Sequence, residues 1–391
     1  MKKILNFPKN FLWGAACAAY QVEGGNIYSD WADFYPAGIA CDHYHRYEED
    51  FDWIVKLNQN AHRFSIEWAR IEKKEGKFDQ KEIEHYRKVL LALKERNIKT
   101  MVTLFHFTLP KWFAKKGAFT KKKNIYYFQR FANKVFDEYK DLVDFWITEN
   151  EPQVYLGQSY FARIWPPQKR NFFLGLKVLK NLILAHKLVY KDFHQKNNQV
   201  LVGIAKNNQF FEPYNKKSTF DKVVVRIADW WQNQYFLKKI RNHLDFIGLN
   251  YYFHYRIKFP FIFKNEDKIV SDVGWEIYPE GIYHLLKDLK KYHLPIYITE
   301  NGLADENDRL RKDFIRDHLY WIWKAIQDGV DVKGYFHWSL IDNFEWEKKF
   351  EPRFGLIEIN YQTLERKPRD SAFYYAEICK NNQLELDDSA T

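Results

Sequence analysis

Short apolar segments recur along the whole chain, and they are rich in the β-branched and aromatic residues that suit a buried strand. We predict eight strands, at residues 11–16, 61–66, 100–105, 144–148, 200–205, 246–249, 296–299 and 334–338. Successive strands begin roughly 40 to 60 residues apart, which is enough for a loop, a helix and a return to the sheet.

The intervening segments carry apolar residues at helical spacing. After the second strand, Asp79 is a candidate N-cap with Glu82 three residues later. Apolar residues then recur every three or four positions, at Ile83, Tyr86, Val89, Leu90 and Leu93. Similar patterns predict helices at 126–139, 174–193, 282–289 and 314–326.

Strand followed by helix, repeated eight times, predicts an α/β fold. We expect a single (β/α)8 TIM barrel over residues 1–391, with 381–391 as a flexible tail. The length would also allow two average domains, but no linker separates the repeats. A doubly wound sheet would require a glycine-rich phosphate-binding turn after an early strand, and the sequence contains none.

Composition and charge narrow the class of protein. Hydrophobic residues make up 46% of the chain, which permits a large core. Aromatic residues make up 19%, and they suit a sugar-stacking cleft as well as a core. The net charge of +10 comes from lysines spread along the chain, without an arginine-rich stripe or a nucleic-acid motif. We therefore expect a solvated, lysine-rich surface and no nucleic-acid partner.

The cysteines and the N-terminal segment indicate the cellular compartment of the protein. Cys17, Cys41 and Cys379 are odd in number and far apart, so we expect a reducing, cytoplasmic compartment without disulfides. The N-terminal segment has the outline of a secretion signal, but Pro8 and Asn10 interrupt it, and we interpret it as the first barrel strand. We expect no membrane span, since no apolar run reaches roughly 18 residues.

Polar residues follow the predicted strands where each one ends. They are Gln21, His106, Asn150, Glu151, Asn250, Tyr252, Glu300 and Trp338. The carboxyl ends of barrel strands are where such enzymes carry chemistry. Glu151 and Glu300 each lie beside Asn and close to Thr, and a pair of carboxylates is what glycoside hydrolysis requires. Either acid alone is as consistent with a structural ion pair.

Six motifs occur in order along the chain. They are YQVEG at 20–24, RFSI at 63–66, NEP at 150–152, GLNYY at 248–252, ITENG at 298–302 and WSLIDNFEW at 338–346. With these motifs the chain resembles glycoside hydrolase family 1, the β-glucosidase family, from residue 7 to residue 377. It is most similar to the compact, thermophile-type members.

The resemblance implies a retaining, exo-acting β-glycosidase that acts on small-molecule β-glycosides without a cofactor or metal. It implies Glu300 as the nucleophile and Glu151 as the general acid/base. The other implied site residues are Asn150 at the sugar 2-hydroxyl, Arg63 and Tyr252 beside Glu300, Gln21, His106 and Glu345 at other hydroxyls, Trp338 under the ring, Trp346 at its side, and Asn250 as support. Retention requires the two carboxyl groups to lie about 5 to 5.5 Å apart.

Several positions depart from the family pattern or leave alternatives open. Glu149 lies two residues before Glu151, and residues two apart share a strand face, so spacing alone does not choose between them. We prefer Glu151 because it lies between Asn150 and Pro152. Phe107 replaces the usual Trp, so an indole donor for the sugar 3-hydroxyl is missing.

One further segment contains a cysteine and two histidines, which are residues that can bind zinc. The segment CDHYH at 41–45 fits no closed zinc spacing, and we interpret it as a helix entry with locally bonded histidines.

A transglycosylase would share the same catalytic pair, and a non-catalytic sugar-binding relative would lack one of the two acids. Glu345 disfavours 6-phosphoglycosides, because a carboxylate near the sugar 6-position repels phosphate.

Overall fold

The computed structural model describes residues 3–266 and 268–386. Its centre is a closed barrel of eight parallel strands in chain order, in which each strand pairs with the next and the last pairs with the first. These strands are β1 (Leu12–Ala16), β2 (Ala61–Ser65), β3 (Lys99–Phe105), β4 (Phe145–Asn150), β5 (Val202–Asn207), β6 (Phe246–Asn250), β7 (Ile296–Asn301) and β8 (Val332–Trp338). The predicted TIM barrel is therefore confirmed, and all eight predicted strands are present.

Helices surround the barrel and connect its strands. The longer ones are His43–Lys56, Gln80–Glu95, Ile125–Tyr139, Phe172–Lys196, Thr219–Asp229, Glu280–Leu289, Arg311–Gln327 and Asp370–Asn381, and shorter ones are Ala19–Val22, Trp68–Ile71, Lys111–Lys115, Pro152–Leu156 and Tyr235–Ile240. Asp79 caps its helix by accepting a hydrogen bond from the Lys81 backbone N–H. Glu82 does not complete a capping box there, because its carboxylate pairs with Lys73 at 2.9 Å.

The barrel interior is filled by side chains from every strand, so the lower part of the barrel is a packed core. These residues include Ala16, Ala61, Met101, Ile147, Ala205, Phe246, Tyr297 and Phe336. A second and larger apolar layer lies between the strands and the helices. Because the lower interior is solid, a ligand can enter the barrel at its carboxyl end.

Short strands outside the barrel complete the fold. A sheet of Phe210–Pro213, His254–Lys258 and Ile262–Phe263 extends from the loops after β5 and β6, and Ile357–Ile359 pairs with Arg366–Pro368. Lys3–Asn6 pairs antiparallel with Gln383–Leu386. The predicted flexible tail is therefore wrong for residues 381–386, because backbone pairing and the burial of Leu384 and Leu386 hold this segment to the N-terminus. Residues 387–391 lie outside the described part of the chain.

Three further properties concern the cysteines, the apolar character of the helices and possible metal sites. All three cysteines are buried and free of disulfides. Within residues 3–266 and 268–386, none of the helices combines the length and apolar character that crossing a bilayer requires. In the same ranges, His, Cys, Asp and Glu side chains do not converge in threes as a metal site would demand.

Candidate active site

A cavity opens at the carboxyl end of the barrel. Its lining residues are His106, Phe107, Asn150, Glu151, Val154, Gln158, Trp165, Asn207, Tyr252, Phe253, Val273, Trp275, Glu300, Trp338, Glu345, Trp346, Glu347, Lys348 and Phe354. Most of the predicted site residues are in this set. Gln21, Arg63 and Asn250 are not, but each bonds to a residue that is.

Glu300 lies near the end of β7 and is bound through both carboxylate oxygens. Arg63, on β2, pairs with Oε1, and the Tyr252 hydroxyl donates to Oε2 at 2.8 Å. The Arg63 guanidinium also donates to the Thr299 carbonyl at 3.0 Å. Because Arg63 is almost completely buried, its charge attracts the Glu300 carboxylate in a medium of low dielectric.

Glu151 follows β4 and is held by two amides. Its Oε1 accepts hydrogen bonds from Asn250 Nδ2 at 2.8 Å and from Asn207 Nδ2 at 3.1 Å. Burial, together with the negative charge of Glu300, raises the pKa of Glu151 to about 7, against the opposing effect of the two amides and Arg63. A carboxyl group with this pKa is protonated in part at neutral pH and can donate a proton.

Glu149 occupies a different environment from Glu151. It is fully buried, does not line the cavity, and neither of its carboxyl oxygens has a hydrogen-bond partner among the described residues. Burial raises its pKa well above the usual range, which favours the neutral, protonated acid. Strand alternation would have put Glu149 and Glu151 on one face, but Glu151 has a left-handed φ of 45°, which takes it out of the strand pattern.

Asn150 connects the two halves of the site. Its Oδ1 accepts from Arg63 Nη2 at 2.7 Å and from Asn250 Nδ2 at 3.2 Å. Its Nδ2 lies 3.0 Å from His106 Nε2. Burial, together with the nearby Arg63 charge, lowers the pKa of His106 well below the usual range, so the ring is neutral and Nε2 can accept from Asn150.

The remaining predicted sugar-binding residues lie at the end of β8, on the loop that follows it, and opposite that loop. Gln21 Nε2 donates to Glu345 Oε2 at 3.2 Å, and Trp338 and Trp346 both line the cavity. Burial, together with the negative charges of Glu347 and Glu300, raises the pKa of Glu345 to about 8.

Several lining residues were missed by the sequence analysis. Asn207 binds Glu151, but the predicted fifth strand ends at 205 whereas β5 ends at Asn207, so a longer strand would have placed it at the carboxyl end. Trp165, Trp275 and Glu347 lie in loops or turns. Loops carry no hydrophobic periodicity, and no pattern in the sequence marks these three residues.

The two histidines of the segment 41–45 are hydrogen-bonded to nearby carboxylates, as predicted. His43 Nδ1 lies 2.7 Å from Asp50 Oδ2, and His45 Nδ1 lies 2.6 Å from Asp42 Oδ1. The first of these two histidines begins the helix His43–Lys56, as predicted for this segment.

Comparison with protein-family models identifies the chain. The model of glycosyl hydrolase family 1 matches residues 4–241 and 233–384. Beta-glucosidase A of Thermotoga maritima is 33% identical over an alignment 443 positions long, which covers 98% of this chain and 99% of the relative. Beta-glucosidase A of Acetivibrio thermocellus is 35% identical over an alignment 449 positions long, which covers 98% of this chain and 100% of the relative.

Solved structures show the same likeness. A beta-glycosidase from Pyrococcus horikoshii superposes with a TM-score of 0.93 at 38% identity, and the match covers 99% of this chain and 97% of the other. Beta-glucosidase from Thermotoga maritima in complex with glucoimidazole superposes with a TM-score of 0.92 at 33% identity, covering 96% and 99%. Because these matches extend over nearly the whole chain, this protein belongs to glycosyl hydrolase family 1 and is a β-glycosidase.

Proposed function

We propose that the protein is a retaining, exo-acting β-glycosidase in which Glu300 is the nucleophile and Glu151 is the general acid/base. The observation that carries this proposal is the different environment of the two acids within one cavity. Glu300 forms an ion pair with the buried Arg63, whereas Glu151 is held by two neutral amides and burial raises its pKa to about 7. A double displacement needs one ionised and one protonated carboxyl group at the start.

In the first step, a Glu300 oxygen attacks the anomeric carbon while Glu151 gives its proton to the departing glycosidic oxygen. The Tyr252 hydroxyl and Arg63 hold the Glu300 carboxylate in a fixed orientation, which limits the entropy lost on attack. Asn150, fixed by Arg63 and Asn250, is the proposed donor to the sugar 2-hydroxyl.

In the second step, water replaces the leaving group and resolves the glycosyl ester. Formation of the ester removes the charge of Glu300, which is one cause of the raised pKa of Glu151. The pKa of Glu151 therefore falls, and its carboxylate can take a proton from the attacking water. The product leaves with the anomeric configuration of the substrate.

We propose β-glucosides as substrates, with the terminal sugar lying between Trp338, Trp346 and Glu345. The relatives named beta-glucosidase support this choice. Exo action is supported by Gln21 and Asn343, which are buried and bonded to each other behind Glu345, so protein backs the cavity on that side. The half of the cavity lined by Phe253, Val273 and Trp275 would take the leaving group, and we expect it to tolerate apolar alkyl or aryl groups.

Hydrolysis is favoured over transglycosylation, because the full-length relatives are named as glucosidases. A non-catalytic role is disfavoured, because both acids are present and share the cavity.

We also propose a cytoplasmic location, supported by three cysteines that are free of disulfides.

The experiment that tests this function is a panel of 4-nitrophenyl β-glycosides of glucose, galactose, fucose and mannose, with Glu300→Gln as the control. We expect turnover of the glucoside by the wild-type protein and loss of turnover in the variant with the fold unchanged by circular dichroism. Equal turnover by E300Q, or no turnover of any glycoside by the wild type, would refute the proposal.

A further inference from the structure

The cavity contains a carboxylate, Glu347, whose orientation is set by an indole. Trp165 Nε1 donates a hydrogen bond to Glu347 Oε2 at 2.5 Å, and both residues line the cavity that holds Glu151 and Glu300. Among the described residues, Glu347 pairs with no cation, and its second oxygen, Oε1, accepts no hydrogen bond. One oxygen is therefore fixed while the other is left for a ligand.

Trp165 is held rigidly enough to act as a fixed donor. Its ring lies 4.8 Å from that of Phe107, 5.4 Å from that of Trp31 and 5.6 Å from that of Trp346, measured between ring centroids. The side chain is almost completely buried in this cluster. An indole packed on several sides keeps the direction of its N–H, so the hydrogen bond from this N–H fixes the orientation of the Glu347 carboxylate.

Glu347 lies beside the part of the cavity assigned to the terminal sugar. It belongs to the 3-10 turn Trp346–Lys348, immediately after the proposed side wall of the sugar. Its charge is close enough to Glu345 to contribute to the raised pKa of that residue. The neighbouring ring of Phe107 offers no hydrogen-bonding group, so on this wall the polar contacts to a sugar must come from other residues.

We propose that Glu347 is a substrate-binding residue that accepts a hydrogen bond from a hydroxyl of the terminal sugar other than the 2-hydroxyl, with Trp165 as its positioning residue. This inference rests on the proposed glycosidase function. A carboxylate accepts from an uncharged hydroxyl donor and repels an anionic substituent, so the site takes neutral, hydroxyl-bearing glycosyl groups.

The test compares Glu347→Ala and Trp165→Phe on 4-nitrophenyl β-D-glucoside and on its 3-deoxy, 4-deoxy and 6-deoxy analogues. Glu351→Ala, which removes an exposed carboxylate outside the cavity from the same loop, is the matched control. A hydrogen bond to a charged group predicts that E347A lowers kcat/KM on the parent glucoside about 10- to 100-fold. W165F should lower it less, and E351A should stay within about twofold of the wild type.

The pattern across the deoxy glucosides decides the inference. We expect the loss caused by E347A to disappear on the one analogue that lacks the bound hydroxyl and to persist on the other two, with Glu347→Gln giving the same pattern at smaller size. An equal loss on all four substrates would mean a structural role, and no loss would mean no role; either result overturns the inference. Failure of the wild-type protein to turn over the parent glucoside would instead refute the proposed function, and the inference with it.

Discussion

The Tyr252 hydroxyl donates a hydrogen bond to Glu300 Oε2 over 2.8 Å, while Arg63 binds the opposite carboxylate oxygen, Oε1. The two oxygens of the proposed nucleophile are therefore inequivalent before any substrate binds. Tyr252 lies two residues past the end of β6, whose last residue, Asn250, is paired with Glu300 in the barrel. The hydroxyl is thus part of a preformed arrangement that orients the carboxylate for attack.

Removal of this hydroxyl by Tyr252→Phe is expected to lower kcat about 10- to 100-fold, the range of a hydrogen bond to a charged group. The reason is that Glu300 loses orientation while the cavity keeps its shape. Steady-state kinetics on 4-nitrophenyl β-D-glucoside measure the effect. Tyr255→Phe, which alters a half-buried tyrosine on the next strand that makes no contact with Glu300, should retain wild-type kcat, and an equal loss in both variants would contradict the assignment.

The pH dependence of kcat/KM should report Glu151. Since its pKa is about 7 and the acid must be protonated, activity is expected to fall as the pH rises above 7. The Asn207 amide favours the ionised form of Glu151, so Asn207→Ala should raise the pKa of Glu151. The alkaline limb of the pH profile, where activity falls, should then move upward by about one pH unit. Asn208→Ala, a change at the neighbouring buried amide, is the control and should leave the limb in place. A downward shift in N207A would contradict the proposed role of Asn207.

Glu149 and Glu151 should behave oppositely when each is changed to Gln. E151Q is expected to lose activity on poor leaving groups and to regain turnover with azide on an activated aryl glycoside, because azide needs no general base. E149Q is expected to keep activity without azide, since Glu149 lies outside the cavity. Azide rescue of E149Q rather than E151Q would reverse the assignment.

Stability gives an independent test of the buried Glu149. Its pKa in the folded state lies well above the unfolded value of 4.5, so the folded state keeps a proton that the unfolded state releases. The wild-type free energy of unfolding should therefore decline, relative to that of E149Q, as the pH rises from 4.5 towards the folded-state pKa, by up to about 1.4 kcal/mol for each pH unit. Urea titrations between pH 5 and pH 8 measure this difference. A constant difference over that range would show that Glu149 is ionised in the fold.

The architecture was readable from the sequence because strand length, apolar content and helical spacing repeat eight times. The acids that end β4 and β7 were readable too, since motifs place them at strand ends. The register around Glu149 and Glu151 was not, because it depends on the left-handed backbone at Glu151. Loop residues such as Trp165 and Trp275 reach the cavity through tertiary packing, which leaves no periodic trace in the sequence.

Charge in the cavity should exclude phosphorylated sugars. Glu347 and Glu300 both place negative charge in the cavity, and burial together with that charge raises the pKa of Glu345, which also lines it, to about 8. A phosphate at the sugar 6-position would add about two further negative charges. We expect kcat/KM for 4-nitrophenyl β-D-glucoside 6-phosphate to fall on the order of 100-fold below that for the plain glucoside, since like charges in contact cost several kcal/mol. Faster turnover of the phosphorylated substrate would contradict this.

The central claim is that Glu300 forms a covalent bond to the sugar. An activated 2-deoxy-2-fluoro-β-glucoside slows the second step more than the first, so the glycosyl-enzyme accumulates and can be digested and analysed by mass spectrometry. We predict one sugar per chain, attached to the peptide that contains Glu300, and no attachment in the E300Q variant. Attachment to another residue, or turnover of the parent glucoside with no trapped sugar and an inverted anomer, would contradict the account.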